Sequence, residues 1–307
     1  MLTYVIGDLF RSPAKVLVNT VNVVGVMGKG IAKDFKLIYP EMFDEYQRLC
    51  ESKQLDIGRL FLYRTPHKWV LNFPTKKHWR QPSKPEYIEA GLKAFVDGYA
   101  RNSITSVAFP PLGCGNGELD WDRQVRPMME SYLSKLPIEV YVHRYGTGVS
   151  APEHRDFNAT KLWLRSEPES LAFSEVWDDL RDLLKNRSEF VTADTHEPFH
   201  VRLSDSPELG LLIEHGDPSF VPHDALLDAW QFLRAVGFLT AEGLTQGLDA
   251  HADHILALLG ELPYLKLVQI SSRQSKTGGQ FCRAVQLISP VNQRPAPPPS
   301  LQQTVLS

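Results

Sequence analysis

Four short segments in the first 120 residues combine small, polar and basic groups that could bind or cleave a charged ligand. Residues 72–80 (NFPTKKHWR) set basic groups directly after a strand-like run. Such a cluster can steer a phosphate, with Trp79 as a stacking surface. It can also present one reactive lysine: held near a like charge and partly desolvated, Lys has a lowered pKa and offers a neutral amine to an electrophilic carbon. Residues 22–31 (NVVGVMGKGI) follow a Val-rich run and open a helical pattern, so their backbone N–H groups can approach a phosphate unobstructed. The segment matches neither a dinucleotide fingerprint nor a P-loop, and a tight turn would account for it equally well. Residues 110–117 (PPLGCGNG) make a second glycine-rich connection of the same kind. Two such loops on one sheet imply a cleft that holds a diphosphate between them. Cys114 reads as a small buried thiol rather than a nucleophile. Asp8, in IGDL, could accept from an exocyclic amine such as that of adenine, or could simply cap a turn.

These loops need a scaffold, and the hydrophobic spacing supplies one. Residues 3–6, 15–23, 60–63, 69–73, 106–109 and 139–143 read as strands, the third and fourth paired around Thr65-Pro66-His67. Helical spacing covers residues 28–39, 41–49, 85–100 and 122–133. Alternating strands and helices predict a three-layer α/β/α domain with a mixed, mainly parallel sheet, and ligands bind such sheets beyond the carboxyl ends of the strands. Residues 146–156 (GTGVSAPEHRD) lack apolar periodicity and read as a linker. Beyond them, amphipathic runs at 171–184, 225–236 and 249–259 and β-rich runs at 265–271 and 280–289 predict a smaller α+β domain. SRQSKTGG would form the hairpin turn, and the Pro-rich end a disordered tail. The expected boundaries are 1–148, a linker at 149–156, a second domain at 157–291 and a tail at 292–307.

Charge divides the chain similarly. The total is 33 Lys+Arg against 36 Asp+Glu, but residues 1–150 carry 20 against 15 and residues 151–307 carry 13 against 21. Between residues 191 and 262, twelve acids face only Arg202 and Arg234. A solvated surface is the ordinary reason for such a bias; a basic protein partner is the other. Three scattered cysteines exclude a disulfide framework and disfavour a zinc cage. No apolar run reaches the ~18 residues of a membrane span, and the N-terminus lacks the order of a secretory signal, so a cytoplasmic protein is expected.

Gly7-Asp8-Leu9-Phe10, Asn19-Thr20-Val21-Asn22, Met27-Gly28-Lys29-Gly30-Ile31-Ala32, Pro74-Thr75-Lys76-Lys77 and Pro111-Leu112-Gly113-Cys114-Gly115 occur in the order found in macrodomains. Over residues 1–145 the chain resembles the branch that holds the human terminal ADP-ribose glycohydrolase and the bacterial DarG antitoxins, and its wording is nearer to DarG. The resemblance implies an ADP-ribose cleft. Asp8 and Leu9 would hold adenine; Gly28, Lys29, Gly30 and Ile31 would line one side of the diphosphate and distal ribose. Gly113, Cys114, Gly115, Asn116 and Gly117 would close the other side. Asn22 would contact the distal ribose beside Thr75, and Lys76 matches the lysine on which catalysis depends, thought to attack or polarise C1″. Gly117 falls where the human enzyme has an aspartate, with Glu118 and Asp120 close by, and Lys77 is a further auxiliary candidate.

By the same resemblance, the substrate would be single-stranded DNA carrying ADP-ribose on a base, expected to be thymine. ADP-ribose would be the product, and no cofactor or metal is implied. The acidic second domain would bind and neutralise the DarT toxin. An ADP-ribose reader and a hydrolase of ADP-ribosylated glutamate on proteins are the alternatives.

Overall fold

The computed structural model describes residues 1–144, 152–205, 208–244, 248–271 and 281–288. The expected hairpin turn at 272–279, the tail at 292–307 and residues 149–151 of the expected linker lie outside these. The chain forms two units, Met1–Trp163 with Ala172–Val176, and Leu164–Leu171 with the residues from Trp177 onward.

In the first unit the elements run β1 (Leu2–Ile6), β2 (Val16–Asn22), α1 (Gly30–Ile38), α2 (Pro40–Glu51), β3 (Phe61–Arg64) and β4 (Trp69–Lys76). Then come α3 (Pro85–Gly98), β5 (Ser106–Phe109), α4 (Arg126–Leu133) and β6 (Glu139–Arg144). The sheet order is β1-β6-β5-β2-β4-β3, parallel except for the β3–β4 pair. Side chains alternate across each strand, which makes three layers. Val16 and Val18 of β2, with Leu71 and Phe73 of β4, pack with Ile88, Leu92 and Phe95 of α3 and Met129 and Leu133 of α4. Leu17, Val21 and Val70 face the other way, onto Phe35 of α1 and Met42 and Tyr46 of α2.

Polar residues interrupt this alternation at one register position. Asn19 and Asn72 are opposite each other on β2 and β4 and fully buried. Asn19 Nδ2 donates to Asn72 Oδ1 at 2.9 Å, and Asn72 Nδ2 lies 3.2 Å from Met42 Sδ. A paired amide inside an apolar layer tolerates only the register that pairs it. The helix expected over 122–133 begins instead with a wider turn at Trp121–Val125, capped by Asp120, whose carboxylate accepts the Arg123 N–H.

Two further helices, α5 (Phe157–Ser166) and α6 (Phe173–Asn186), follow. The second unit continues with β7 (Glu189–Val191), β8 (Pro198–Ser204), β9 (Gly210–His215), β10 (Asp217–Pro222), α7 (His223–Val236), β11 (Phe238–Thr240), α8 (Ala252–Gly260), β12 (Leu265–Ser271) and β13 (Phe281–Leu287). It holds two antiparallel sheets, β10-β9-β8-β7 and β11-β13-β12. The α+β class and the β12–β13 pair agree with the sequence reading; the four-stranded sheet was not expected. A buried bidentate pair joins Arg165 to Asp179, which also accepts from the Tyr264 hydroxyl.

Replacing Asn72 by Ala strands the Asn19 amide in the core. Denaturant unfolding is expected to show a loss of about 1–3 kcal/mol.

Candidate active site

Three neighbouring parallel strands, β4, β2 and β5, end at the same edge of the sheet, and each feeds a loop into one cleft. The β2–β4 register slips by one residue between Val21 and Asn22, so that Asn22 stands opposite Lys76, the last residue of β4. The slip lets β4 pass Pro74, which has no N–H to give to the ladder. Asn22 organises the first loop from within. Its Oδ1 accepts from the N–H groups of Val24 (3.1 Å) and Val26 (3.3 Å) and from the Tyr46 hydroxyl (3.1 Å). Its Nδ2 donates to the Val26 carbonyl at 2.7 Å. Burial pushes the Tyr46 phenol well above its ordinary range, which keeps it a donor.

The cleft has a volume of about 520 Å³, within the usual span of small-molecule sites. Asn22, Lys29, Gly30, Ile31, Thr75, Lys76, Gly113, Cys114, Gly115, Asn116 and Gly117 all line it. Asp8, Leu9, Gly28, Lys77, Glu118 and Asp120 are not among the lining residues. Asp8 sits at the same edge of the sheet, after β1, and its carboxylate accepts the Phe10 N–H at 2.9 Å, the capping role. Leu9 is fully buried in the core beneath.

Backbone shape explains two of the glycines. Gly30 has φ +59°, and a Cβ there would stand 3.0 Å from the Asn116 amide of the opposite loop. Gly117 leaves no room: a Cβ would lie 2.2 Å from Ser83 Oγ and 2.4 Å from the Gly113 carbonyl oxygen. The Ser83 N–H also donates to the Gly117 carbonyl. No aspartate can therefore take this position without moving the loop.

Lys76 is 5% exposed, and its Nζ makes no hydrogen bond among the described residues. Burial lowers its pKa, while the carboxylates of Glu153 and Glu118 act in the opposite sense. The like charge expected to help is therefore not the cause; desolvation is. Glu153 Oε2 lies 3.7 Å from Nζ, and both side chains are almost wholly buried. Burial raises the Glu153 pKa, against the pull of Lys76 and Lys29. Cys114 is half-buried with its thiol pushed up to about 12 by burial and by Asp120 and Asp122, as suits an unreactive group.

Residues 152–156 were expected to be linker, and the structure corrects this: they belong to the first unit, which runs on to Trp163. Glu118 pairs with His154 and Arg155, and His154 holds its carboxyl below the usual range. Asp156 lies 3.4 Å from Lys29 Nζ. Phe157 stacks on Trp79 with ring centroids 5.5 Å apart. Trp79 is thus not the exposed stacking surface anticipated. It is fully buried, and its indole N–H donates to Glu175, which also binds Arg80. The one available signal was the run Glu153-His154-Arg155-Asp156, too densely charged for a passive spacer.

The Macro domain family model matches residues 18–128. A DNA ADP-ribosyl glycohydrolase of Mycobacterium tuberculosis is 50% identical over 141 residues, 45% of this chain and 40% of that protein. A DNA ADP-ribosyl transferase–DNA ADP-ribosyl glycohydrolase fusion protein of Thermosipho africanus is 38% identical over 161 residues, 46% of this chain and 41% of that protein. A human ADP-ribose glycohydrolase is 30% identical over 145 residues, 46% of this chain and 90% of the human protein. The chain belongs to the macrodomain family. Its match to the two bacterial relatives spans about 40% of their length.

Gly117→Ala forces the second loop away from Ser83. Its expected cost is about 1–3 kcal/mol in denaturant unfolding, together with weaker ADP-ribose binding by calorimetry.

Proposed function

We propose that the first unit hydrolyses the bond between ADP-ribose and a base of single-stranded DNA, with thymine as the base. The carrying observation is the Lys76 amine, desolvated at the carboxyl end of β4 in a cleft flanked by two glycine-rich loops. Those loops offer backbone N–H groups to a diphosphate. Adenine would lie toward Asp8 and Leu9, at the end of β1. The distal ribose would then reach Thr75 and Lys76, with the amine lone pair directed at C1″. Burial favours the neutral amine that this requires. The names of the bacterial relatives, which state DNA ADP-ribosyl glycohydrolase, support DNA over protein as the substrate.

We further propose that the acidic second half binds and neutralises a DarT-type DNA ADP-ribosyl transferase. A DNA-handling enzyme needs a basic groove, and twelve acids against two arginines over residues 191–262 complement it. The fusion of both activities in the Thermosipho africanus relative supports the pairing.

Wild type should release ADP-ribose from a modified single-stranded oligonucleotide, read by mass analysis. Lys76→Ala should slow that release by on the order of 100-fold or more while ADP-ribose affinity stays within about tenfold, or ~1.4 kcal/mol. Weak binding with full turnover at saturation would make Lys76 a binding group and the domain a reader.

Affinity of the whole chain for a DarT-type toxin should fall by about tenfold or more between 50 and 300 mM salt, as screening shortens the reach of the charges. An affinity indifferent to salt would remove the electrostatic basis of the pairing.

A further inference from the structure

Cleavage of an N-glycosidic bond needs more than an electrophilic carbon and a nearby amine. The departing base nitrogen takes the bonding electron pair and needs a proton, and the incoming water must lose one. Of the carboxylates in the macrodomain core, Asp34 of α1 also lines the cleft, but it is not among the groups that act on Lys76. Gly117 is closed to any side chain by Ser83 and the Gly113 carbonyl. Glu118 is turned to His154 and Arg155, and Asp120 caps the turn before α4.

One carboxylate beyond the core does reach the lysine. Glu153 lines the cleft, and its Oε2 stands 3.7 Å from Lys76 Nζ. The carboxylate also accepts the backbone N–H of Lys29, so it is held between the first loop and the end of β4.

The residues that follow are held as firmly. His154 and Arg155 bind Glu118 of the second loop, Asp156 lies against Lys29 of the first, and Phe157 stacks on Trp79 beyond β4. Each of the three cleft-forming loops therefore holds part of residues 153–157. With Glu153 in place, the cleft still keeps about 520 Å³. It acts as a wall of the site and leaves space for a ligand of ADP-ribose size.

We infer that Glu153 is the second catalytic side chain of this site, the acid and base that complements Lys76, an assignment that rests on the glycohydrolase reading above. The C1″–N bond breaks and its electron pair goes to the base nitrogen, which takes the proton of the Glu153 carboxyl. The oxygen of a water molecule then bonds to C1″, and the proton it sheds restores the carboxyl. The sum is hydrolysis, with free ADP-ribose and an unmodified base as products. Desolvation acts on both partners in the useful sense, raising the carboxyl and lowering the amine. The charged and titratable groups facing Glu153 are Lys76, Lys29 and Tyr46. Only Lys76 shares the reacting position, so the two titrate as a coupled pair.

The test measures release of ADP-ribose from a modified oligonucleotide by the whole chain, across pH and substrate concentration. The neutral isostere Glu153→Gln is expected to lower kcat by on the order of 100-fold while holding KM and ADP-ribose affinity within about threefold. The bell-shaped rate profile should lose one limb. Glu153→Asp, which keeps the acid, should retain both limbs at an intermediate rate, and a one-limbed profile in that variant overturns the inference. Wild-type turnover in Glu153→Gln also overturns it. Faster turnover with tighter ADP-ribose binding would overturn it too, by making the segment a competitor for the cleft. A wild-type chain that releases nothing from any modified oligonucleotide overturns both this inference and the functional reading beneath it.

Discussion

An amine withdrawn from water holds its proton less tightly, and burial has that effect on Lys76. A lysine at the end of a surface strand would be hydrated, fully protonated and chemically idle. Here β4 is flanked by β2 and β3, and its last residue lines the cleft together with both glycine-rich loops. The Asn19–Asn72 amide pair fixes the β2–β4 register, and the one-residue slip at Val21/Asn22 then sets Lys76 beside Asn22. Asn22 spends its amide on its own loop, so the strand pairing and the loop shape are one construction.

The two glycine-rich loops differ in what their glycines do. Gly30 has a left-handed φ and stands against Asn116, so the loops approach one another closely there. Gly117 has ordinary backbone and is required by packing, because Ser83 and the Gly113 carbonyl occupy the space of a side chain. Such packing gives the second loop a definite shape and removes a position from which an acid could act. The carboxylates that act on Lys76 come from Glu118, which is committed to His154 and Arg155, and from Glu153 after the core is complete, while Asp34 of α1 lines the cleft apart from them.

Much of the fold was legible because apolar residues run together in β2 and β4, as in strands buried on both faces, and recur at helical spacing in α2 and α3. Those patterns report burial directly. The loops at residues 22–31 and 110–117 were legible because clustered glycines between a strand and a helix have few structural uses. The edge role of Asp8 stayed open, since a carboxylate that caps a turn and one that meets a ligand share a sequence. Trp79 misled because an aromatic among basic residues resembles a stacking surface, while its actual partners, Phe157 and Glu175, lie far along the chain. Glu153 was missed for a related reason. Gly146, Gly148 and Ser150 give the preceding stretch the composition of a spacer, and the charged run Glu153-His154-Arg155-Asp156 does not say which surface it meets. The four-stranded sheet β10-β9-β8-β7 was not read, although β8 alternates exposed and buried residues over Pro198–Arg202.

The return of residues 153–157 to the cleft also bears on modularity. The compositional seam near residue 148 is where recombination or proteolysis would be expected to separate a catalytic half from an acidic one. A piece ending there would keep every motif by which the family is recognised, yet it would lack the carboxylate beside Lys76 and the residues that hold Glu118, Lys29 and Trp79. The hereditary unit marked by the motifs is shorter than the unit that builds the site. Descendants could therefore exchange the sequence after the seam and, with it, change the chemistry around an unchanged lysine.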